Sequence, residues 1–332
     1  MINYSLLDLC PVVEGSNPAE TFQRSLDLAQ HAERWGYNRY WLAEHHNMPG
    51  IASAATAVVI GHIAAGTSRI RVGAGGIMLP NHSPLIIAEQ FGTLEALFPG
   101  RIDLGLGRAP GTDQATARAL RRDLQSNAER FPQDVMDLQA LLGDPQPGQG
   151  LLATPGSGSK VPLWILGSST FGAQLAAALG LPYAFASHFA PGDLQVALKT
   201  YRHYFQPSQY LDKPYVTLGF NVIAADSDEE AELLSSSMQK SFVSLRQGKP
   251  LRLQPPQANY LPTLGPAERH TLQQVLSCSA IGSAATVETG IRAFLEQTGA
   301  DELMLNGNIF DHRARLRSFE IAADVMQKIN GR

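Results

Sequence analysis

The strongest constraint on this chain is a regular alternation of short β-rich runs with helical patterns, kept up over 332 residues. The runs 5–10, 39–43, 69–75, 101–106, 162–166, 183–187, 215–224 and 302–305 read as strands. The first helix opens at Asn17-Pro18-Ala19-Glu20, with a cap, a proline at its first position and a glutamate at its third. Phe22, Leu26, Leu28, Ala29, Ala32 and Trp35 form its apolar stripe, and Gly36 ends it. Further helical patterns cover 52–65, 132–142, 171–179, 193–205, 284–297 and 313–329. Ser83-Pro84 opens another, closed by Pro99-Gly100, and Asp226-Ser227-Asp228-Glu229-Glu230 is an acidic helix start. The Gly/Pro-rich stretch 143–158 reads as a surface loop.

Eight strands each answered by a helix argue for an α/β chain closed into a (β/α)8 TIM barrel. An open doubly wound sheet alternates in the same way. Such a barrel takes about 250 residues, so this chain has room for insertions, expected near 109–131 and 246–280. No composition break marks a second domain, so one barrel domain is expected over 1–332.

Hydrophobic residues make up 44% and charged residues 17%, which gives ample core and excludes the disordered class. With 26 basic and 30 acidic residues and no basic run, nucleic acid and anionic membranes are poor partners. Cys10 and Cys278 sit in apolar runs and suggest neither a disulfide framework nor a zinc knuckle. Met1-Ile2-Asn3-Tyr4 lacks a charged leader, and no apolar stretch reaches the ~18 residues of a membrane span. A soluble, cytoplasmic protein is expected.

The strand ends carry the chemistry. In a β/α barrel the loops at the carboxyl ends of strands gather the ligand-binding groups. One strand stops on Glu44-His45-His46, and because adjacent residues point to opposite faces, at least one imidazole should face the mouth. Either histidine is a proton-transfer candidate, with a buried structural role open for His46; no metal-binding spacing accompanies them. Gly75-Gly76 ends the next strand, where a flat ligand could approach the backbone or an ordinary glycine turn could form. Gly107-Arg108 offers a guanidinium fork matched to phosphate. Gly167-Ser168-Ser169-Thr170 opens a helix, as a phosphate cradle or a plain N-cap. Asn81-His82 and Ser187-His188 are two more strand-end histidines, of which one is expected to be a bland turn residue. Neither Gly-rich run has the third glycine of a dinucleotide fingerprint, since Met78 and Pro110 stand there.

Together these segments resemble the bacterial luciferase-like flavin-dependent monooxygenases, and among them the YhbW-type subgroup. The resemblance rests on Trp41-Leu42-Ala43-Glu44-His45-His46-Asn47-Met48, the run from Val72 to Pro84, Glu89-Gln90, the run Pro99 to Gly111, and Gly167-Ser168-Ser169. It implies binding of FMN in its reduced form, FMNH2, which would react with O2 at the flavin C4a carbon. It also implies a non-proline cis bond at Gly75-Gly76 under the flavin ring. Arg108, Gly167, Ser168 and Ser169 map onto the phosphate ligands and His45 onto the catalytic histidine, with His188 at the cofactor site. Two departures matter: Gly107 stands where the luciferases have a reactive cysteine, and Gly167-Ser168 replaces their Glu-Ser pair. Light emission is therefore not expected.

With no dinucleotide motif, the reduced flavin is expected from a separate NAD(P)H:flavin reductase. The substrate is expected to be a small apolar organic molecule, to which Tyr260-Leu261-Pro262 points only weakly. A deazaflavin-dependent hydride-transfer enzyme and a non-catalytic flavin-binding protein remain as alternatives. A homodimer is expected, because the run Ile51 to Gly61 and Leu85-Ile86-Ile87-Ala88 lack the polar face of an outer barrel helix.

Overall fold

A computed structural model of the chain describes residues 1–109, 116, 119, 120 and 124–331. Its strands are β1 (Asn3–Asp8), β2 (Arg39–Leu42), β3 (Arg71–Met78), β4 (Ile102–Gly107), β5 (Leu163–Gly167), β6 (Tyr183–Phe185), β7 (Val216–Ala224), β8 (Ser279–Gly282) and β9 (Glu302–Asn306). The helices used below are α1 (Pro18–Trp35), α2 (Thr56–Ala65), α3 (Pro84–Leu97), α4 (Leu124–Leu142), α5 (Thr170–Leu179), α6 (Leu194–Tyr204), α7 (Asp228–Arg246), α8 (Tyr260–Thr263), α9 (Pro266–Val275), α10 (Ala284–Thr298) and α11 (His312–Ile329).

All strand pairs are parallel, and β1 through β7 neighbour one another in sequence order. The strand β9 then pairs with both β7 and β1 and closes an eight-stranded TIM barrel. The expected barrel is therefore present, with one strand more than the sequence pattern showed. Residues 217–221 of β7 pair with β9, while 221–224 carry the short β8.

Local chemistry sets the element ends. The Asn17 side chain accepts the Glu20 N–H at 3.1 Å to start α1, and Gly36 ends it in a left-handed conformation at φ 83. Ser227 caps α7 in the same way at 3.2 Å. Three boundaries differ from the sequence pattern. The helix expected from residue 52 begins at Thr56, because Ile51 bridges to Pro11 and the Ser53 hydroxyl donates to the Ala43 carbonyl at 2.5 Å. The helix expected from 132 runs from Leu124 and carries Pro132 inside it. The 143–158 loop is docked rather than free: Ala153 is buried, and a Cβ on Gly92 of α3 would stand 2.2 Å from the Gly156 Cα.

Strand alternation sorts the side chains into two layers. Outward residues such as Leu6, Leu42, Val72, Leu104 and Ile165 form the core beneath the helices. Inward residues Leu7, Trp41, Trp164, Ala184 and Met304 fill the barrel, with the two indoles edge-to-face at 5.2 Å. At the amino-terminal floor, Arg39 bridges Asp103 (2.6 Å) and Glu302 (3.2 Å), Arg71 joins Asp103 at 2.6 Å, and the Tyr215 hydroxyl donates to Glu302 at 2.9 Å. That end is plugged by satisfied charge, which leaves the carboxyl end as the open one.

Between sheet and helices, Asp8 and Arg315 form a fully buried pair at 2.8 Å, with the Tyr40 hydroxyl and the Cys10 N–H also donating to Asp8. Burial, the largest influence, disfavours the carboxylate, but the Arg315 charge and the hydrogen bonds from Ser25, Tyr40 and Arg315 together outweigh it and hold Asp8 below the usual carboxylate range. Removing one partner strands a buried charge, at about 3–5 kcal/mol. Chemical denaturation should show a loss of that size for Arg315→Met. Most of it should return when Asp8→Asn is added, and equal losses in the single and double variants would contradict the pairing.

Candidate active site

Five strand ends meet at the mouth. In order round the barrel they are Ala43-Glu44-His45-His46 after β2, Gly75-Gly76 and Met78 in β3, Gly107-Arg108 at the end of β4, Gly167-Ser168-Ser169 after β5, and Ser187-His188 after β6.

The Gly75–Gly76 peptide is cis, as the resemblance implied. Neither position has room for a side chain. A Cβ on Gly75 would lie 3.0 Å from both Leu7 and Trp41, and one on Gly76 would lie 2.7 Å from the Gly105 carbonyl. The strand pairing with β4 shifts register between Ala74 and Ile77, which brackets this dipeptide. Gly107 also has a packing reason, since the Met78 sulfur would be 3.0 Å from its Cβ.

Glu44 is the hub of the β2–β3 side. It is 1% exposed, and its Oε1 accepts from His46 at 2.7 Å and His82 at 2.8 Å, while its Oε2 accepts the Met78 N–H at 3.0 Å. Burial alone would raise its pKa, but the hydrogen bonds from His46 and His82 prevail and hold it at about 2. The hydrogen bond to Glu44 moves His46 the other way, upward. His46 is therefore an ion-pair partner, and His82 is part of the same cluster rather than a turn residue.

His45 stands apart from that carboxylate. Its Nδ1 lies 2.5 Å from the Glu44 backbone carbonyl, and its Nε2 makes no hydrogen bond among the described residues. A carbonyl only accepts, so the proton is assigned to Nδ1 and the lone pair to Nε2. Burial and the neighbouring His46 hold its pKa below 6.5 against the pull of Glu44. This ring is a neutral base near pH 7.

The Arg108 guanidinium lies 4.0 Å over the Phe171 ring, in the first turn of α5. Ser169 occupies the N-cap position with an extended backbone (φ −145, ψ 171), yet its hydroxyl makes no cap hydrogen bond. The plain-cap alternative for Ser169 is thus overturned. An arginine and a helix start without a side-chain cap on its N–H groups stand at neighbouring strand ends, a combination suited to an anion. A Cβ on Gly167 would meet nothing closer than the Gly172 Cα at 3.7 Å, so its backbone is open.

His188 belongs to the interior wall. Its Nδ1 would be 2.0 Å from a Cβ on Gly219 of β7, so the ring fills the notch that glycine leaves. The Ser187 hydroxyl donates to the Gly219 carbonyl at 2.6 Å and Asn221 donates to the His188 carbonyl at 2.7 Å, which fix the turn. The Nδ1 atom is buried without a partner, and burial lowers the pKa to about 4. Sequence reasoning missed Phe171, Gly219 and Asn221. Only Gly219 left a signal, as a glycine inside the apolar strand Leu218-Gly219-Phe220. Of the insertion expected near 109–131, residues 110–115, 117, 118 and 121–123 lie outside the described residues, and 124–131 belong to α4. That near 246–280 holds α8 and α9 and bridges Leu253 to Val13 after β1. No helix among the described residues is long and apolar enough to cross a membrane.

The model of the family described as luciferase-like monooxygenase matches residues 6–302. An Escherichia coli K12 protein named luciferase-like monooxygenase is 56% identical over 330 residues, covering 99% of this chain and 98% of its own. The chain belongs to this family. The N-acetyl-S-alkylcysteine monooxygenase of Bacillus subtilis is 37% identical, with 75% of each chain covered. The crystal structure of apo-MsnO8 superposes with a TM-score of 0.88 at 35% identity, covering 98% of this chain and 99% of that one. The fold alone is shared with an oxygenating constituent of 3,6-diketocamphane monooxygenase in complex with FMN (TM-score 0.70, 17% identity, 97% and 96% covered). It is likewise shared with an F420-dependent secondary alcohol dehydrogenase (TM-score 0.71, 15% identity, 96% and 97% covered).

The Glu44 cluster has a pH signature. Glu44 has a depressed pKa, so its share of stability is present above the ordinary value of 4.5 and is lost as pH falls through about 2. His46 has a raised pKa, so its share is present below 6.5 and is lost as pH rises through its folded value. The shift of Glu44 corresponds to about 3 kcal/mol. Glu44→Gln should cost about that much near pH 6, with the gap to the natural chain closing toward about pH 2. A gap that stays constant in urea melts across this range would contradict the cluster.

Proposed function

We propose that this chain is the oxygenase of a two-component FMNH2-dependent monooxygenase acting with O2 on a small organic substrate. The observation that carries the reading is the pairing of a side-chain-free Gly75–Gly76 platform with Arg108 set over the start of α5. Kinship with the N-acetyl-S-alkylcysteine monooxygenase supports an organic substrate, and the FMN complex of the same fold supports the cofactor. The mouth residues fit a flavin, since packing against Leu7, Trp41 and the Gly105 carbonyl keeps both positions free of a side chain, and a flat ring could then lie against backbone alone.

When bound, reduced FMN supplies the electrons that activate O2. Arg108 and the N–H groups after Ser168 and Ser169 bind its phosphate, while Gly75 and Gly76 present backbone to its ring. His45 accepts a proton at Nε2, its tautomer set by the Glu44 carbonyl. Glu44 orients that loop by fastening it to Met78 and His82. His188, uncharged near neutrality, closes the opposite wall as a hydrogen-bonding group. The reduced flavin would come from a separate NAD(P)H:flavin reductase.

Two variants test these roles. A bidentate charge-assisted contact is worth roughly 1.5–3 kcal/mol, so Arg108→Ala should weaken FMN about ten- to a hundredfold and leave riboflavin unchanged. Equal losses for both flavins would remove Arg108 from the phosphate site. His45→Ala should abolish substrate-coupled O2 uptake under FMNH2 supply, across a thioether, carbonyl and aromatic panel, while FMN affinity stays nearly intact. Full activity in that variant would exclude His45. Anaerobic turnover with a deazaflavin by the natural chain would instead establish a hydride-transfer enzyme.

A homodimer through α2 and α3 is part of the proposal. Val58 and Ile86 stand 72% and 50% exposed there, too much apolar surface for outer helices. Light scattering should report twice the 35.8 kDa of one chain, and a monomer mass at micromolar concentration would contradict it.

A further inference from the structure

Outside the strand-end site, α7 and α9 flank a half-open groove of about 230 Å³, a little below the ~300–1,000 Å³ of ordinary ligand sites, with Arg246 exposed at its rim. Its walls are apolar where Phe242, Val243, Leu272 and Val275 line it, and two charged residues reach it, Arg246 and Glu268. The two charges are not equivalent. Both Glu268 oxygens are occupied, one by the Gly265 N–H at 2.9 Å and the other by Gln247 at 3.0 Å, at the first turn of α9. That helix end carries partial positive charge, which offsets the carboxylate. Arg246 forms no ion pair among the described residues, and its guanidinium faces the Phe189 ring at 6.0 Å. A cation in the last turn of a helix is ordinary. An unpaired one bordering an apolar groove is a recognition pattern.

One aromatic contact links this groove to the residue after His188. Phe189 follows His188 directly, and its ring lies 6.4 Å from that of Phe242, which lines the groove. We propose that this groove binds a small organic anion, with its charged group on Arg246 and its apolar body between Phe242, Val243, Leu272 and Val275. As a substrate site it rests on the monooxygenase reading; as an anion site it does not.

Calorimetry on the full chain with hexanoate and its neutral analogue hexanamide tests the proposal. Hexanoate should bind at least about tenfold more tightly than hexanamide. Arg246→Gln should erase that preference and Arg246→Lys should keep most of it. Thr271→Trp, which projects into the groove and is checked for folding by its melt, should weaken both ligands. Equal affinity for the two ligands, undiminished hexanoate binding in Arg246→Gln, or no hexanoate binding at millimolar concentration would each overturn it. Hexanoate binding with this selectivity, in a chain that gives no substrate-coupled O2 uptake under FMNH2 supply across the same panel, would keep the anion site and sink the monooxygenase reading alone.

Discussion

The barrel closes around two indoles, and above the floor carboxylate of Asp103 that packing leaves only glycines, Gly73, Gly75 and Gly105, along the inner faces of β3 and β4. Trp41 and Trp164 fill the centre at 5.2 Å. A Cβ on Gly73 would lie 2.5 Å from the Asp103 carbonyl, and one on Gly105 would lie 2.3 Å from the Ala74 carbonyl. Large residues on one wall are thus matched by none on the other, as close packing in a small barrel demands. The flat platform at Gly75–Gly76 continues that same bare wall to the mouth. The site is an extension of how the core is packed.

Charge is divided between the two ends by the same logic. At the floor, Arg39, Arg71, Asp103 and Glu302 satisfy one another, so that end is closed by paired charge. At the mouth the histidines stand in unlike surroundings. His46 is raised by Glu44, His45 is lowered by burial, and His188 is held at about 4 in the Gly219 notch. One carboxylate serving two imidazoles leaves the third free, which divides the cluster into an anchor and a base.

The barrel was legible because helices and strands repeat with different periods, and caps such as Asn17 and Ser227 declare themselves in sequence. The strand-end residues were legible for the same reason: topology brings the carboxyl ends of parallel strands together. What stayed hidden was side-chain pairing across distance. Nothing in the sequence joins His82 to Glu44, 38 positions away, or seats His188 against Gly219. The four-residue β8 begins inside the stretch 246–280 that reads as an insertion, and the hydroxyl of Ser169 stands at an N-cap position yet makes no cap hydrogen bond.

The central claim is that the mouth offers backbone to a flat ring and an arginine beside a helix start to an anion. A crystal structure of the chain grown with FMN tests it most directly. The account predicts the isoalloxazine ring over Gly75–Gly76 and the phosphate on Arg108 and the start of α5, with Glu44, His46 and His82 unmoved. A flavin bound elsewhere, or a phosphate that touches neither Arg108 nor the α5 terminus, would contradict it.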